Sequence, residues 1–269
     1  MRIVSISDAD DPRLAPYVSI RERDLTGRSD GRFIVEGKVT LATLLERSLF
    51  EIESIFIGQS RLEPLSDILA LLPQDVPVYV APQNVMDEVA GFPIHRGVLA
   101  CARKGEPLAL DALLEAETLL VLNGISNHDN VGAAFRNAAA FGAGGVLLDE
   151  QSCDPLYRKS IRVSAGAALW LPFVRDGQGK DHIGRLQNAG FDVWAMTPRA
   201  TAAELHQLKP SAKTAILLGS EGPGLEDALI DRCRPVRIAM ASGFDSINVA
   251  TAGAIALAHC HTCSVTGSA

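Results

Sequence analysis

Short apolar runs alternate with longer stretches of helical spacing along both halves of this 269-residue chain. In the first half, RFIVEG (32–37) reads as a strand stopped by glycine. VTLATLLERSLF (39–50) follows, with Leu41, Leu44, Leu45 and Leu49 on one helical face. SIFIG (54–58), VPVYV (76–80) and GVLACA (97–102) read as further strands, with helices over LSDILALL (65–72) and VMDEVAG (85–91) between them. This β-α-β-α-β-α-β order predicts a compact α/β unit of roughly 100 residues.

The stretch ARKGEPLALDALLEAE (102–117) carries turn chemistry at KGEP and a connecting helix after it. It sets a boundary near residue 105, giving expected domains over 1–105 and 106–269. Beyond it the alternation strengthens. TLLVLNGI (118–125), GGVLLDE (144–150), FDVWAM (191–196), TAILLGS (214–220) and VRIAM (236–240) read as strands. Helices are expected over 130–143, 182–190, 224–233 and 248–260, the first with Asn130 as its N-cap. Near-continuous apolar strands predict a mostly parallel sheet covered on both faces.

Composition narrows the functional options. Apolar residues make up 47% of the chain and charged residues 21%, which supports a packed core and excludes wholesale disorder. The net charge of −7 is the wrong sign for holding nucleic acid by bulk attraction, and no basic tail offsets it. Aromatics, at 5%, are too few to pave an RNA-binding sheet with stacking rings. The five cysteines are an odd number in a chain of ordinary size, against a secreted disulfide framework. The start, MRIVSISDADDPRL, shows no signal peptide, and no apolar run approaches the ~20 residues that span a bilayer. A reducing cytoplasm is the expected location.

Three loops follow apolar strands and open helices, where parallel sheets bind ligands. The first runs from Asn127 through Asn130 and Gly132 to Arg136. Asn130 reads most simply as a helix cap. Arg136 is either a solvated helix residue or a functional group projecting from an apolar, small-residue helix, and both readings stay open. The second loop is Leu218-Gly219-Ser220-Glu221-Gly222-Pro223-Gly224. One glycine would serve a turn with Glu221 near a helix start; three in six residues favour a loop whose backbone approaches a ligand. Neither the dinucleotide fingerprint nor a P-loop is present. The third loop runs from Ile238 and Met240 to Ser246, Ile247 and Asn248, ahead of an Ala-rich helix. Ser246 reads as the N-cap of that helix, which leaves Asn248 at its apolar head unexplained.

In this order and spacing, the three blocks resemble the SpoU (TrmH-like) family of RNA ribose 2′-O-methyltransferases, of the SPOUT class. The matching residues are Asn130/Gly132/Arg136/Ala138, then Gly219/Ser220/Glu221/Gly222/Gly224, then Ile238/Met240 and Ser246/Ile247/Asn248/Val249. Residues 153–172 resemble the family's segment between the first two blocks. FIVEG and HRGVLA in the first half resemble an L30e-like RNA substrate-binding domain. Asn127-His128, Ala239 and Ile247 stand where the family has Asp-Pro, Pro and Leu.

The resemblance implies an α/β chain with an N-terminal L30e-like α/β domain (1–105). A SPOUT α/β domain (106–269) follows, with a trefoil knot and a mostly parallel sheet. It implies S-adenosylmethionine as cofactor, held by Leu218, Gly219, Gly222, Ile238, Met240 and Ile247. It implies tRNA or rRNA as substrate, no membrane partner, and a homodimer whose sites use both subunits. Asn130, Arg136, Glu221, Ser246 and Asn248 are the implied catalytic group. A guanidinium is a poor base at neutral pH, so Arg136 is expected to bind phosphate and stabilise alkoxide charge, with Glu221 orienting it or the ribose. The alternatives are an inactive family member that binds RNA and cofactor and, more remotely, a nucleotide-dependent oxidoreductase. Cys260 and Cys263 with His259 and His261 invite a zinc reading, but they close a helix and have no second ligand pair; no metal is expected. RNA contacts are expected from local clusters, Arg21/Arg23/Arg28/Arg32 and Arg158/Lys159/Arg162, and from Arg136 in the site; the pair His95-Arg96 reads equally as an RNA contact or as a plain surface pair. The small-residue run Ala250–Ala256 suits either a dimer face or a buried core helix.

Overall fold

The computed structural model describes residues 2–20 and 30–267. The chain divides into two compact units: Met1–Glu106 with Leu156–Trp170, and Pro107–Pro155 with Leu171–Ala269.

In the first unit, β1 (Arg2–Ser5), β2 (Arg32–Glu36), β3 (Ile52–Gly58), β4 (Pro77–Ala81) and β5 (Val98–Arg103) form a sheet in the order β1-β4-β3-β5-β2. β4 runs parallel to β1 and β3, while β5 is antiparallel to β3 and β2. The edge strand β1 is absent from the hydrophobic pattern because three of its four residues face solvent. Two longer helices flank the sheet: α1 (Lys38–Arg47) and α2 (Gln83–Ala90), the latter ended by Gly91 at φ +80°. The expected helix over 65–72 shortens to a single turn, Ser66–Leu69.

Residues 156–170 lie in the second half of the sequence but pack with the first unit. A buried carboxylate accounts for this. Glu36, at the end of β2, is 7% exposed and pairs with Arg158, with Arg162 3.8 Å away. An unpaired buried charge would be costly, so the short helix Arg158–Val163 is recruited to it. Arg158 also lies 5.1 Å from the Phe92 ring, and Arg47 stacks over Trp170 at 3.8 Å.

The second unit contains β6 (Thr118–Leu122), β7 (Gly145–Leu148), β8 (Phe173–Arg175), β9 (Asp192–Met196), β10 (Ala203–Glu204), β11 (Thr214–Leu218) and β12 (Arg234–Arg237). Their order is β10-β12-β9-β11-β6-β7-β8, and every pairing is parallel. β11 is buried along its whole length, and β6 is buried from Leu119 onward. That is the burial on both faces that continuous apolar runs foretold. α3 (His128–Ala140), α4 (Gly179–Asn188) and α5 (Val249–Gly267) cover the sheet. Ile183 and Leu186 of α4 pack with Val121, Leu217 and Val193 on one face. Gly253 of α5 sits so close to the sheet that a Cβ there would come within 2.8 Å of Leu218. Two expected helices are curtailed: 224–233 reduces to Asp227–Ile230, and the connecting helix to a 3-10 turn at Leu110–Leu113.

The sheet order places the site. The first motif follows β6 and the second follows β11, and these strands are neighbours. The third follows β12, separated from β11 only by β9. Three segments distant in sequence therefore share one carboxyl edge.

Candidate active site

The first loop is fixed from below. Asp149 is 4% exposed, and its carboxylate accepts from the Gly124 N–H at 3.0 Å, the Ser152 N–H at 2.9 Å and the Ser152 hydroxyl at 2.6 Å. Asn123 N–H donates to the Leu218 carbonyl at 2.9 Å, tying the end of β6 to the end of β11. The Cys153 thiol donates to the Ser126 carbonyl, and burial raises its pKa above the ordinary value. The cap of α3 is Asn127, whose side-chain oxygen accepts from Asp129 N–H at 2.8 Å. This corrects the expectation that Asn130 caps the helix. Asn130 lies inside the first turn and is buried, and its Oδ1 accepts from Nδ2 of Asn248 at 2.9 Å.

The second loop folds tightly on itself. Ser220 and Gly224 form an antiparallel bridge, and the Ser220 hydroxyl donates to the Gly224 carbonyl at 3.1 Å. A Cβ at Gly219 would lie 2.4 Å from the Leu225 nitrogen, so only glycine fits there. Gly222 and Gly224 adopt φ +86° and +72°, the left-handed region that favours glycine. Glu221 is exposed at the tip.

The third loop ends in a cap supplied by Asn248. Its Oδ1 accepts from the Ala250 and Thr251 N–H groups at 2.9 and 3.1 Å. This corrects the assignment of Ser246 as N-cap: the Ser246 hydroxyl reaches only Asp245, at 3.5 Å. Asn248 uses both ends of its amide, one to start α5 and one to join the head of α5 to the head of α3.

These loops enclose a cavity of about 520 Å³ in the second unit. Leu218, Gly219, Gly222, Ile238, Met240 and Ile247 all line it, together with Glu221, Ser246 and Asn248. Asn130 stands behind the wall through Asn248. Arg136 is not brought in: it is exposed, lines no part of the cavity, and makes no hydrogen bond or ion pair among the described residues. Helix geometry explains this, because six residues along α3 turn Arg136 about 120° away from Asn130. The sequence reading missed Met196, Thr197 and Pro198, which close the cavity from the end of β9. They carry no polar motif, and only the strand order reveals them.

The lining tests the implied cofactor. Apolar Leu218, Ile238, Met240 and Ile247 and the glycine-loop backbone suit an adenosine-sized ligand. The charged side chains in the lining are the carboxylates of Glu221 and Asp245. They complement the sulfonium and ammonium charges of S-adenosylmethionine, and the site fits that molecule.

The expected RNA-contact clusters fare unevenly. Arg32 is spent on Glu53 and Asp30, and Arg158 and Arg162 on Glu36. Arg21, Arg23 and Arg28 lie outside the described residues. His95 and Arg96 are exposed, as are Lys38, Arg61 and Lys159. Arg96 lies over Gly37 and Arg61 over Gly97, which gathers Lys38, Arg61 and Arg96, with His95, at one end of the first-unit sheet.

Fold and site together define a ligand-binding enzyme of the parallel α/β kind, with its centre at the carboxyl edge of the sheet. Residues 117–258 match the SpoU rRNA Methylase family. An uncharacterized tRNA/rRNA methyltransferase of Mycobacterium bovis is 38% identical over 265 residues, covering 94% of this chain and 90% of the relative. The 23S rRNA (guanosine-2′-O-)-methyltransferase RlmB of Escherichia coli is 28% identical over 236 residues, covering 83% of this chain and 96% of that one. A crystal structure of an AdoMet-bound rRNA methyltransferase from Sinorhizobium meliloti shares the fold, with TM-score 0.78, 22% identity, and coverage of 97% and 98% of the two chains. The chain belongs to the SpoU rRNA methylase family. It is an RNA methyltransferase, and the oxidoreductase alternative falls. No helix among the described residues is long and apolar enough to cross a membrane.

Proposed function

We propose that this protein methylates a ribose 2′-hydroxyl in ribosomal or transfer RNA, as a homodimer. The observation that carries the reading is the convergence of all six expected cofactor residues on one cavity, with Asn130 and Asn248 joined at its edge. Bound there, S-adenosylmethionine supplies a methyl group on a positively charged sulfur, so the leaving group needs no protonation. What remains for the protein is the weakly acidic hydroxyl. Arg136, whose guanidinium is a poor base, binds the adjacent phosphate and stabilises the developing alkoxide. The hydroxyl proton leaves to water. Glu221 and Ser246 orient the ribose from the rim, and the Asn130–Asn248 pair holds the two helix heads in register.

Arg136 faces away from its own chain's cavity, which supports a site completed by a second copy. On α5, Ala250, Gly253, Ala256 and Leu257 are buried while Thr251 and Ile255 are exposed, so the helix serves as core on one side and leaves a mixed, small-residue face on the other. Light scattering should return twice the 28.6 kDa chain mass. The first unit presents RNA, with Lys38, Arg61, His95 and Arg96 as its phosphate contacts. A protein with net charge −7 then binds non-specific RNA weakly, with a salt dependence set by those few contacts.

The test is tritium transfer from labelled cofactor to separated tRNA and rRNA fractions, followed by mapping of the labelled ribose. Label on a 2′-oxygen is the expected result. Label on a base refutes the assignment, and cofactor binding without transfer to any cellular RNA establishes the inactive alternative.

A further inference from the structure

The cavity has no aromatic residue in its lining. RNA enzymes that act on unstacked nucleotides usually replace lost base stacking with a protein ring. Among the described residues, a single Phe, Tyr or Trp ring is exposed: Phe244, at 73%. It directly precedes Asp245, where the cavity-lining run Asp245–Val249 begins, and consecutive Cα atoms lie only about 3.8 Å apart. The turn that carries it is held by its own N–H, which donates to the Ala241 carbonyl at 3.2 Å, and by Gly243 at φ +87°. The ring therefore stands in solvent one residue along the chain from the cavity lining, of which it is not itself a part.

We propose that Phe244 is the stacking platform for the base of the nucleotide undergoing methylation. Its face takes the unstacked base and so sets the ribose against the reacting centre. This rests on the ribose-methylation reading and extends it, making Phe244 a positioning residue for substrate RNA. Stacking does not select among the four bases. Its contribution is to productive RNA binding, and cofactor binding does not depend on it.

The test compares wild type with Phe244→Ala, Phe244→Leu and Phe244→Trp. The substrate is total RNA from cells lacking this protein, the readouts are kcat and KM for methyl transfer, and cofactor affinity is measured by calorimetry. Loss of a stacking ring lowers kcat/KM for RNA by roughly 5- to 150-fold in Phe244→Ala. Phe244→Leu keeps an apolar side chain without a ring and falls with Ala, whereas Phe244→Trp recovers wild-type kcat/KM within about threefold. S-adenosylmethionine affinity and molar mass by light scattering stay unchanged in all three. Wild-type behaviour of Phe244→Leu shows that apolar contact suffices and overturns stacking. A fall in molar mass in Phe244→Ala shows that a second copy covers the ring, which also overturns it. If wild type methylates no RNA, the ribose-methylation reading fails first. If it does so and Phe244→Ala is unaffected, the stacking proposal alone fails.

Discussion

Replacing Gly219 with alanine should separate site architecture from overall folding. Gly219 lies outside the left-handed region, so alanine brings no left-handed backbone strain there. The obstacle is steric: its Cβ would lie 2.4 Å from the Leu225 nitrogen, 2.5 Å from the Gly224 carbonyl carbon and 2.7 Å from Leu225 Cγ. Two of these are backbone atoms, which cannot rotate aside. Restoring ordinary contact requires about 1 Å of movement between the end of β11 and the segment 224–225. Overpacking of this kind costs about 1–3 kcal/mol, which at ~2–4 °C per kcal/mol lowers Tm by roughly 2–12 °C. The segment that must move is the cavity wall from Gly219 to Gly224. Calorimetric titration with S-adenosylmethionine should show affinity reduced at least about tenfold, with the circular dichroism spectrum retained; misplacement by 1 Å can cost a factor of ~100. Gly222→Ala is the control. Nothing lies within 4 Å of its added Cβ, and its cost is only the left-handed backbone at φ +86°, about 1–2 kcal/mol, absorbed at an exposed tip. Wild-type affinity in Gly219→Ala, or greater damage from Gly222→Ala, refutes the reasoning.

Asn248→Ala removes the cap of α5 and the bond to Asn130 together, and should cost about 1–3 kcal/mol in denaturant unfolding, with methyl transfer reduced. No change in the unfolding midpoint would mean that the amide is not the link between the helices. Arg136→Ala should cut methyl transfer by orders of magnitude while the calorimetric affinity for S-adenosylmethionine stays within about twofold; a parallel loss of affinity contradicts the assigned role. Glu53 tests the first unit. Its carboxylate accepts from Arg32 at 2.8 Å and from Arg103 at 2.6 Å, and the Arg32 hydrogen bond, above all, holds its pKa down to about 2. A lowered folded pKa stabilises above the unfolded value of 4.5 and loses that stabilisation as pH falls toward 2. Glu53→Gln should therefore be less stable by about 1–3 kcal/mol at neutral pH. Its deficit relative to wild type should shrink between pH 4.5 and 2. A deficit constant across that range points to packing rather than charge.

How much of the site was legible depended on how local its physics is. Strands such as Thr118–Leu122 and Thr214–Leu218 were visible because a strand buried on both faces must be apolar throughout. The glycine loop was visible because positive φ and close backbone approach exclude other residues. The two caps were misplaced, by three positions and by two. Asn127 and Asn130 are the same residue type, as are Asn130 and Asn248 to a reader of motifs, and only the direction of each amide distinguishes a cap from a bridge. The basic clusters were misjudged for a similar reason: charge can be counted along a chain, but the pairing of Arg158 with buried Glu36 cannot.

By itself, then, the sequence determined the alternation of elements, the parallel second-half sheet and the three loops that carry family motifs. Each of these depends on spacing within some fifteen residues. Tertiary structure alone decided that β11 lies between β6 and β9, that Met196 and Thr197 join the cavity, and that residues 156–170 pack with the first unit. It also decided that Arg136 faces away from its own chain's cavity. These outcomes turn on strand order and on the burial of single charges, both set by contacts among residues that are remote in the chain.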